Sequence, residues 1–241
     1  MTSRFARARY RTDNYLYLLV EGDEAALVDP GDPGVALALA DAHGVRPRWI
    51  IHTHGHADHT GGSTALRAEL GATVWGHGAD AAWFPPDQDL AGRRELRLGG
   101  LSLRIHPAPG HTPGSVLVEW RGRLLTGDTL FWGGCGNCRH GGDPRRLAES
   151  LLDVVGKLDG ALEVHPGHDY AEANLPFALE LDPASVGARE RLEAVRAARQ
   201  AGEEPPPSTL AEERASNPFL RSGTVEALVA LRARRDGWTP R

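Results

Sequence analysis

The segment HTHGHADH at residues 52–59 crowds His54, His56, Asp58 and His59 into one short span directly after the apolar run RWIIHT. In a looping chain His54 and His56 point the same way, two residues apart, while Asp58 and His59 can turn to a neighbouring point. One ion that keeps an open coordination position cannot hold all four comfortably, whereas two ions about 3.5–4 Å apart can share them. The competing reading is a polar loop whose histidines bond to backbone. It is the weaker one, because imidazoles at this density repel one another when protonated and have little structural use without a metal. Three further groups are weaker singly: His111 in PAPGHTPGS, Asp128 in LLTGDTLF and His168 in VHPGHDY. All four sites follow apolar runs, so the ligands are expected to converge on one edge of a sheet, where open sheets usually keep their sites. The chain's 11 histidines all lie between His43 and His168. His43, His52, His77, His106, His140 and His165 lack this context and read as structural.

The elements that must position these groups are legible as short apolar runs: 15–20, 25–29, 48–53, 72–76, 101–105, 115–120, 123–127 and 161–165 read as strands. Asp32-Pro33, Asp143-Pro144 and Asp182-Pro183 each open a helical stretch, with Asp capping free N–H groups and Pro in the first turn. In the third, Ala188, Leu192, Val195 and Arg199 share a stripe. Hairpin-like strand pairs occur beside strand–helix–strand units, so an α/β (α+β) fold with a mixed sheet is expected over residues 1–168. Residues 169–241 show helical patterns only. They are interrupted by a rigid connector at Pro205–Pro207, after which Thr209 and Glu212 form a capping box.

A chain of 241 residues can bury a large core without disulfides, and 41% hydrophobic with 24% charged residues is an ordinary globular composition. The net charge of −5 offers no footprint for a polyanion, so no nucleic-acid partner is expected. No apolar run approaches the ~20 residues that span a bilayer, and the start lacks a secretory signal. Neither a membrane association nor an export route is expected, and the chain reads as cytoplasmic. Cys135 and Cys138 form a lone C-x-x-C that suits a redox pair, half a zinc site or two turn residues.

THGHADH, GHTPGS, GDTLF and GHDY, in this order and spacing, resemble the metallo-β-lactamase superfamily with its αββα sandwich. Within it, GDTLFWGGCG, the helical tail and PSTLAEERASNPFLR resemble glyoxalase II, the hydroxyacylglutathione hydrolases, so the similarity covers nearly the whole chain. The resemblance implies a catalytic domain over 1–168 and a substrate-recognition domain over 169–241. It implies one metal on His54, His56 and His111, a second on Asp58, His59 and His168, and Asp128 bridging both. Zinc is the leading expectation, with iron or manganese accepted by the same donors. Cys135 falls in the family's G-C-G turn and is not a ligand, which leaves Cys138 incidental.

The implied reaction is thioester hydrolysis, as of S-D-lactoylglutathione, by a metal-bridging hydroxide oriented by Asp58. A thiol with a pKa near 8.5 leaves as an anion without a strong general acid. Methylglyoxal detoxification is the implied setting. The substrate side departs from the family pattern. Asn137 and Arg139 stand where the hydrolases carry a Lys and a Tyr that contact the glutathione carboxylates, whereas Tyr170 matches a glutathione-contacting Tyr. Basic residues after N-P-F-x-R are also missing, leaving Arg139, Arg145 and Arg146 as replacement clamps. The carrier is therefore glutathione, another small thiol or coenzyme A, and nothing in the sequence specifies an oligomeric state. Two other functions share the motifs. One is a persulfide dioxygenase with a single iron on the positions of His54, His111 and Asp128, although such enzymes lack the extended tail. The other is a non-catalytic metal-binding scaffold, which the complete set of seven ligands disfavours.

Overall fold

Asn14–Glu21 is buried on both faces, and its alternation explains the two layers it separates. Tyr15, Tyr17 and Leu19 enter the core shared with a second sheet, whereas Leu16, Leu18 and Val20 pack with Ala36 and Leu66 of covering helices. The computed structural model describes residues 2–239, so residue 1 and residues 240–241, the outer ends of the two expected regions, lie outside the described residues. In the first sheet β1 (Ser3–Tyr10), β2 (Asn14–Glu21), β3 (Glu24–Val28), β4 (Trp49–Ile51), β5 (Thr73–Gly76) and β6 (Gln88–Asp89) lie side by side in that order. The pairs up to β3 are antiparallel and those from β3 to β6 are parallel. The second sheet contains β7 (Glu95–Leu98), β8 (Leu101–Pro107), β9 (Val116–Trp120), β10 (Arg123–Gly127), β13 (Glu163–Pro166) and β14 (Ser208–Thr209), in the order β14-β13-β10-β9-β8-β7. Between β10 and β13 in the chain, β11 (Leu130–Phe131) and β12 (Gly134–Cys135) form a small ribbon.

Helix punctuation follows the sequence at two of its three expected starts. In α1 (Pro33–Ala42) the Asp32 side chain accepts from Val35 N. α2 (Ala57–Thr60) and α3 (Ser63–Leu70) follow β4, and α4 (Pro144–Glu149) is capped by Asp143. Asp182 does not open the third helix, because it ends α5 (Ala171–Leu181). The start moves to Ser185, whose hydroxyl accepts from Ala188 N at the head of α6 (Val186–Gln200). α7 (Leu210–Ser216) carries the Thr209/Glu212 capping box, and α8 (Val225–Asp236) ends the described chain. No helix among the described residues is long and apolar enough to cross a membrane.

Six strands have no counterpart in the sequence reading, β1, β6, β7, β11, β12 and β14, and two of them bear on the argument. β1 is not expected from the sequence, since its Arg4, Arg7 and Arg9 mask the pattern; it is an edge strand, where charge is tolerated, and the Arg7 guanidinium lies over the Tyr15 ring. β14 corrects the expectation of a purely helical tail, for it pairs with β13 and stitches the tail into the second sheet.

The shared core also encloses a histidine. His165 packs against Phe5 and Tyr17, with ring centroids 4.7 and 5.8 Å away. Burial, aided by Arg7 and Arg123, pushes its pKa down from 6.5 to about 3. The unfolded chain therefore binds more protons here between those two values, so stability falls as the pH drops through that window. Between pH 7 and 5 the expected loss is ~2 kcal/mol from this group. Chemical denaturation of the wild type and of His165→Leu at both pH values checks it. The variant should lose less stability on acidification, and equal slopes would remove His165 from the account.

Candidate metal centre

Every expected ligand leaves the end of a strand, and the two sheets bring those ends together. His54 and His56 follow β4, after which the chain turns into the single turn of α2. This helical turn, where a loop was expected, separates Asp58 and His59 from the first two histidines. His111 lies between β8 and β9, and His168 follows β13. Asp128 leaves β10 after a register shift against β13 between Leu125 and Gly127, a bulge of the kind that re-aims a side chain.

The donors fall into two groups. The ligand atoms of His54, His56 and His111 lie within 4.8 Å of one another, as do those of Asp58, His59 and His168. Asp128 sits between them: Oδ2 is 3.5 Å from His111 Nε2 and 3.5 Å from His168 Nε2, and Oδ1 is 3.4 Å from His59 Nε2. Asp29 also clusters with His54 and His59, yet its oxygens are engaged elsewhere, accepting from Thr53 N at 2.8 Å and Thr53 Oγ1 at 2.6 Å.

Each imidazole has its outer nitrogen matched to an acceptor, which assigns the tautomer that leaves the inner nitrogen free to ligate. Nδ1 of His168 meets Asp13 Oδ1 at 2.7 Å, Nδ1 of His59 meets Asp29 Oδ2 at 3.2 Å, and Nδ1 of His111 meets the Asn137 carbonyl at 2.6 Å. Nδ1 of His54 faces Thr53 Oγ1 at 3.2 Å, while His56 uses Nε2 on the His140 carbonyl at 3.0 Å. The inner nitrogens then confront one another: His56 Nδ1 and His111 Nε2 at 3.0 Å, His59 Nε2 and His168 Nε2 at 3.2 Å. Among the described residues, His54 Nε2 and Asp128 Oδ1 have no hydrogen-bond partner, and both are buried. Buried polar atoms are rarely left unpaired. Cations between these groups would satisfy all of them at once, so the residues present fit two divalent ions.

Electrostatics prepares the same state at His54, His111, Asp128 and Asp58, whereas at His59 and His168 a cation must displace a proton. Burial, reinforced by the other histidines, keeps the pKa of His54 well below 6.5, and burial also lowers His111, so both stay neutral and ready to ligate. Burial works against ionisation of Asp128, but His168, His59 and His111 together overcome it and hold the carboxyl well below its usual range. Burial likewise opposes charge on Asp58, where His168, His59 and Asn14 prevail. Burial disfavours a proton on His59 and on His168, yet the surrounding carboxylates raise both.

Close backbone approach explains two glycines of the motifs. A Cβ on Gly167 would come within 2.5 Å of Asp128 Oδ1 and 2.6 Å of His59 Cε1, and one on Gly136 would overlap the Asp128 carbonyl.

Beside the donors a cleft of about 260 Å³ opens, and Asn137, Arg139 and Tyr170 all line it. Tyr170 stacks on His168 at 4.8 Å with its ring nearly parallel. Burial raises its phenol above the usual value, so the O–H remains a donor at neutral pH. Arg145 and Arg146 are exposed and do not line this cleft; Arg145 pairs with Glu226 at 3.2 Å and Glu149 at 3.6 Å. Cys135 lines it too, and burial pushes its thiol up to about 11, which argues against a redox-active pair. The outer partners Asp13, Asn14 and Asp29, and Asp80, which accepts from Gly55 N, Thr112 Oγ1 and Gly114 N, carry no sequence expectation. For Asp29 a signal existed: it ends the apolar run AALVD and is followed by Pro-Gly.

Residues 10–168 match the family model of the metallo-beta-lactamase superfamily, and residues 169–238 match that of the hydroxyacylglutathione hydrolase C-terminus. The chain is 64% identical to a hydroxyacylglutathione hydrolase of Anaeromyxobacter dehalogenans, covering 96% of this chain and 98% of that one. It is 39% identical to a hydroxyacylglutathione hydrolase of Dechloromonas aromatica over 89% and 81% of the two chains. Among solved structures it resembles ETHE1 from Myxococcus xanthus, with a TM-score of 0.75, 25% identity and coverage of 98% and 93%. It also resembles TTHA1623 in a di-iron-bound form, with a TM-score of 0.62, 29% identity and coverage of 86% and 95%.

Proposed function

We propose a function for this chain from its family: it belongs to the metallo-β-lactamase superfamily and, within it, to the hydroxyacylglutathione hydrolases. The proposed activity is hydrolysis of a 2-hydroxyacyl thioester of a small thiol such as glutathione. The observation that carries it is the pair of three-residue donor groups with Asp128 within 3.5 Å of both, beside a cleft whose Tyr170 stacks on His168.

His54, His56 and His111 would hold one ion, Asp58, His59 and His168 a second, with Asp128 shared. When bound, two divalent cations supply Lewis acidity and hydroxide at neutral pH. Asp58 is the carboxylate placed to orient the nucleophile. Its Oδ2 accepts from Asn14 Nδ2 at 3.0 Å, which holds the group while leaving the side chain partly exposed to the site. Tyr170, and with it Asn137 and Arg139, would hold the carrier portion of the substrate in the cleft. The leaving thiolate needs no strong acid, and none of the cleft side chains supplies one.

Zinc is the proposed occupant, and the di-iron form of the neighbour TTHA1623 supports a two-ion centre without fixing the element here. We also propose the functional division at residue 168. Two family models meet there, and the donors run up to and include His168 while five of the nine cleft residues come after it. A reducing, cytoplasmic setting agrees with Cys135 and Cys138 as free thiols.

The test is turnover of S-D-lactoylglutathione beside D-lactoyl-coenzyme A, with metal content measured on the same sample. Hydrolysis of the glutathione thioester with about two divalent ions per chain is the expected result. Turnover of neither thioester overturns the proposal, and one iron per chain with oxygen uptake would replace it with the dioxygenase.

A further inference from the structure

Trp83 is the one aromatic side chain that stands exposed among the described residues, at 43%, and it stands against a proposed metal ligand. Its ring meets the His56 imidazole edge-on, with centroids 5.3 Å apart and planes at 75°. The six-membered edge of the indole rests on Gly141, where an added Cβ would come within 2.7 Å of Cζ2 and 2.8 Å of Cη2. Gly141 follows His140, whose carbonyl lies 3.0 Å from His56 Nε2, so one loop supports both the ligand and the ring.

The backbone that carries the ring is fixed as firmly. Trp83 N donates to the Asp80 carbonyl at 2.9 Å, at the end of the short turn Gly78–Asp80 between β5 and β6. The Asp80 carboxylate accepts from Gly55 N at 2.8 Å, Thr112 Oγ1 at 2.6 Å and Gly114 N at 2.8 Å. It thereby ties this turn to both loops that supply His54, His56 and His111. Pro85 and Pro86 restrict the chain beyond the ring. A large apolar surface held rigid and open beside convergent polar groups is a preformed contact for an apolar part of a ligand.

We propose that Trp83 is a specificity-determining residue: the wall on which the acyl substituent of the substrate packs, so that the site favours thioesters with an aromatic or bulky apolar acyl group. Trp83 does not line the cleft beside Tyr170, which stacks on His168 of the other donor group. A thioester with its carrier in that cleft and its carbonyl between the donor groups turns its acyl substituent towards His56 and Trp83. An indole face offers such a substituent buried area and, where it is aromatic, a ring-on-ring contact. That the ligand is a thioester rests on the hydrolase reading; the apolar wall does not.

Calorimetry on the metal-loaded protein measures the preference without turnover. The probes are S-phenacylglutathione and S-(2-oxopropyl)glutathione, which carry a phenyl or a methyl ketone and have no thioester bond to break, and the same two groups on coenzyme A. The wild type should bind the phenyl probe about 10-fold more tightly than the methyl probe on one carrier or the other. Trp83→Ala should bind the two within about twofold, and Trp83→Phe, which keeps a smaller ring, should fall between. The side chain is exposed, so its truncation empties no core. Metal content and thermal midpoints close to wild type keep damage to His56 or to the fold out of the comparison.

Equal binding of phenyl and methyl probes by the wild type overturns the inference, as does a phenyl preference that survives in Trp83→Ala. Failure of all four probes to bind overturns it too. A Trp83-dependent phenyl preference in a protein that hydrolyses no thioester would sustain the wall while sinking the hydrolase reading.

Discussion

Replacing Asp128 with Asn should strip metal and activity together. Asp128 is the carboxylate that reaches both donor groups, with 3.4–3.5 Å contacts to His59, His111 and His168, and its buried Oδ1 has no hydrogen-bond partner among the described residues. The amide has nearly the same shape but carries no charge, so the change tests electrostatics rather than packing. Without the anion, two cations would face one another across buried histidines with only Asp58 left as a carboxylate among the proposed ligands. A bound metal contributes several kcal/mol to stabilising charge in a hydrolytic transition state, and each 1.36 kcal/mol is a factor of ten. A loss of about 1,000-fold or more in kcat/KM is therefore expected, together with less than about one tightly held ion per chain. Elemental analysis and thioester kinetics on one preparation read both quantities. A variant that keeps its two ions and its rate would show that Asp128 does not bridge them.

The donors of that centre are legible in the sequence because liganding demands specific residue types, and the chain offers them in short strings at strand ends. His54, His56, Asp58, His59, His111, Asp128 and His168 are all found together. The shell that orients them is not legible in the same way. Asp13 and Asp29 are carboxylates at a turn and a strand end, types that occur at such places for many reasons, and only three-dimensional proximity joins them to His168 and His59. The cleft shows the same limit from the other side. Asn137, Arg139 and Tyr170 stand out only through the family resemblance, whereas Arg232 and Arg235, which line the same cleft, lie on a helix far along the chain from the donors and carry no signal of their own. Strand β1 is obscured by its arginines and β14 by its brevity, for a strand of two residues carries no period to read.

The tail motifs have a physical reading that leads to the second large effect. Glu213 is 1% exposed, and its carboxyl accepts from Ser208 Oγ at 2.7 Å, Gly133 N at 3.0 Å and Asn217 Nδ2 at 2.9 Å. Asn217 in turn donates to the carbonyls of Phe131 and Gly134, at 3.2 and 3.0 Å. The helical tail thus grips the ribbon β11–β12, the segment that follows Asp128 and ends at the cleft residues Cys135 and Asn137. Burial raises the Glu213 pKa against the opposing pull of these donors and of Arg191, so the carboxyl is retained at a desolvation cost because its hydrogen-bond partners need an acceptor there. Glu213→Leu would leave the Ser208 hydroxyl and the Gly133 N–H short of an acceptor in the interior, while Asn217 keeps the Phe131 and Gly134 carbonyls. Each buried donor left without an acceptor costs about 1–3 kcal/mol, and the two together are a large share of the stability of an ordinary domain. Denaturant titration should show that loss. Proteolysis should also cut the 131–139 segment in the variant faster than in the wild type, because the grip on it is gone. Glu213→Gln keeps one acceptor oxygen but turns an amide towards other donors, so it should fall between the two, at about 1–3 kcal/mol. A Leu variant as stable as the wild type would mean that the tail rests on the ribbon without holding it.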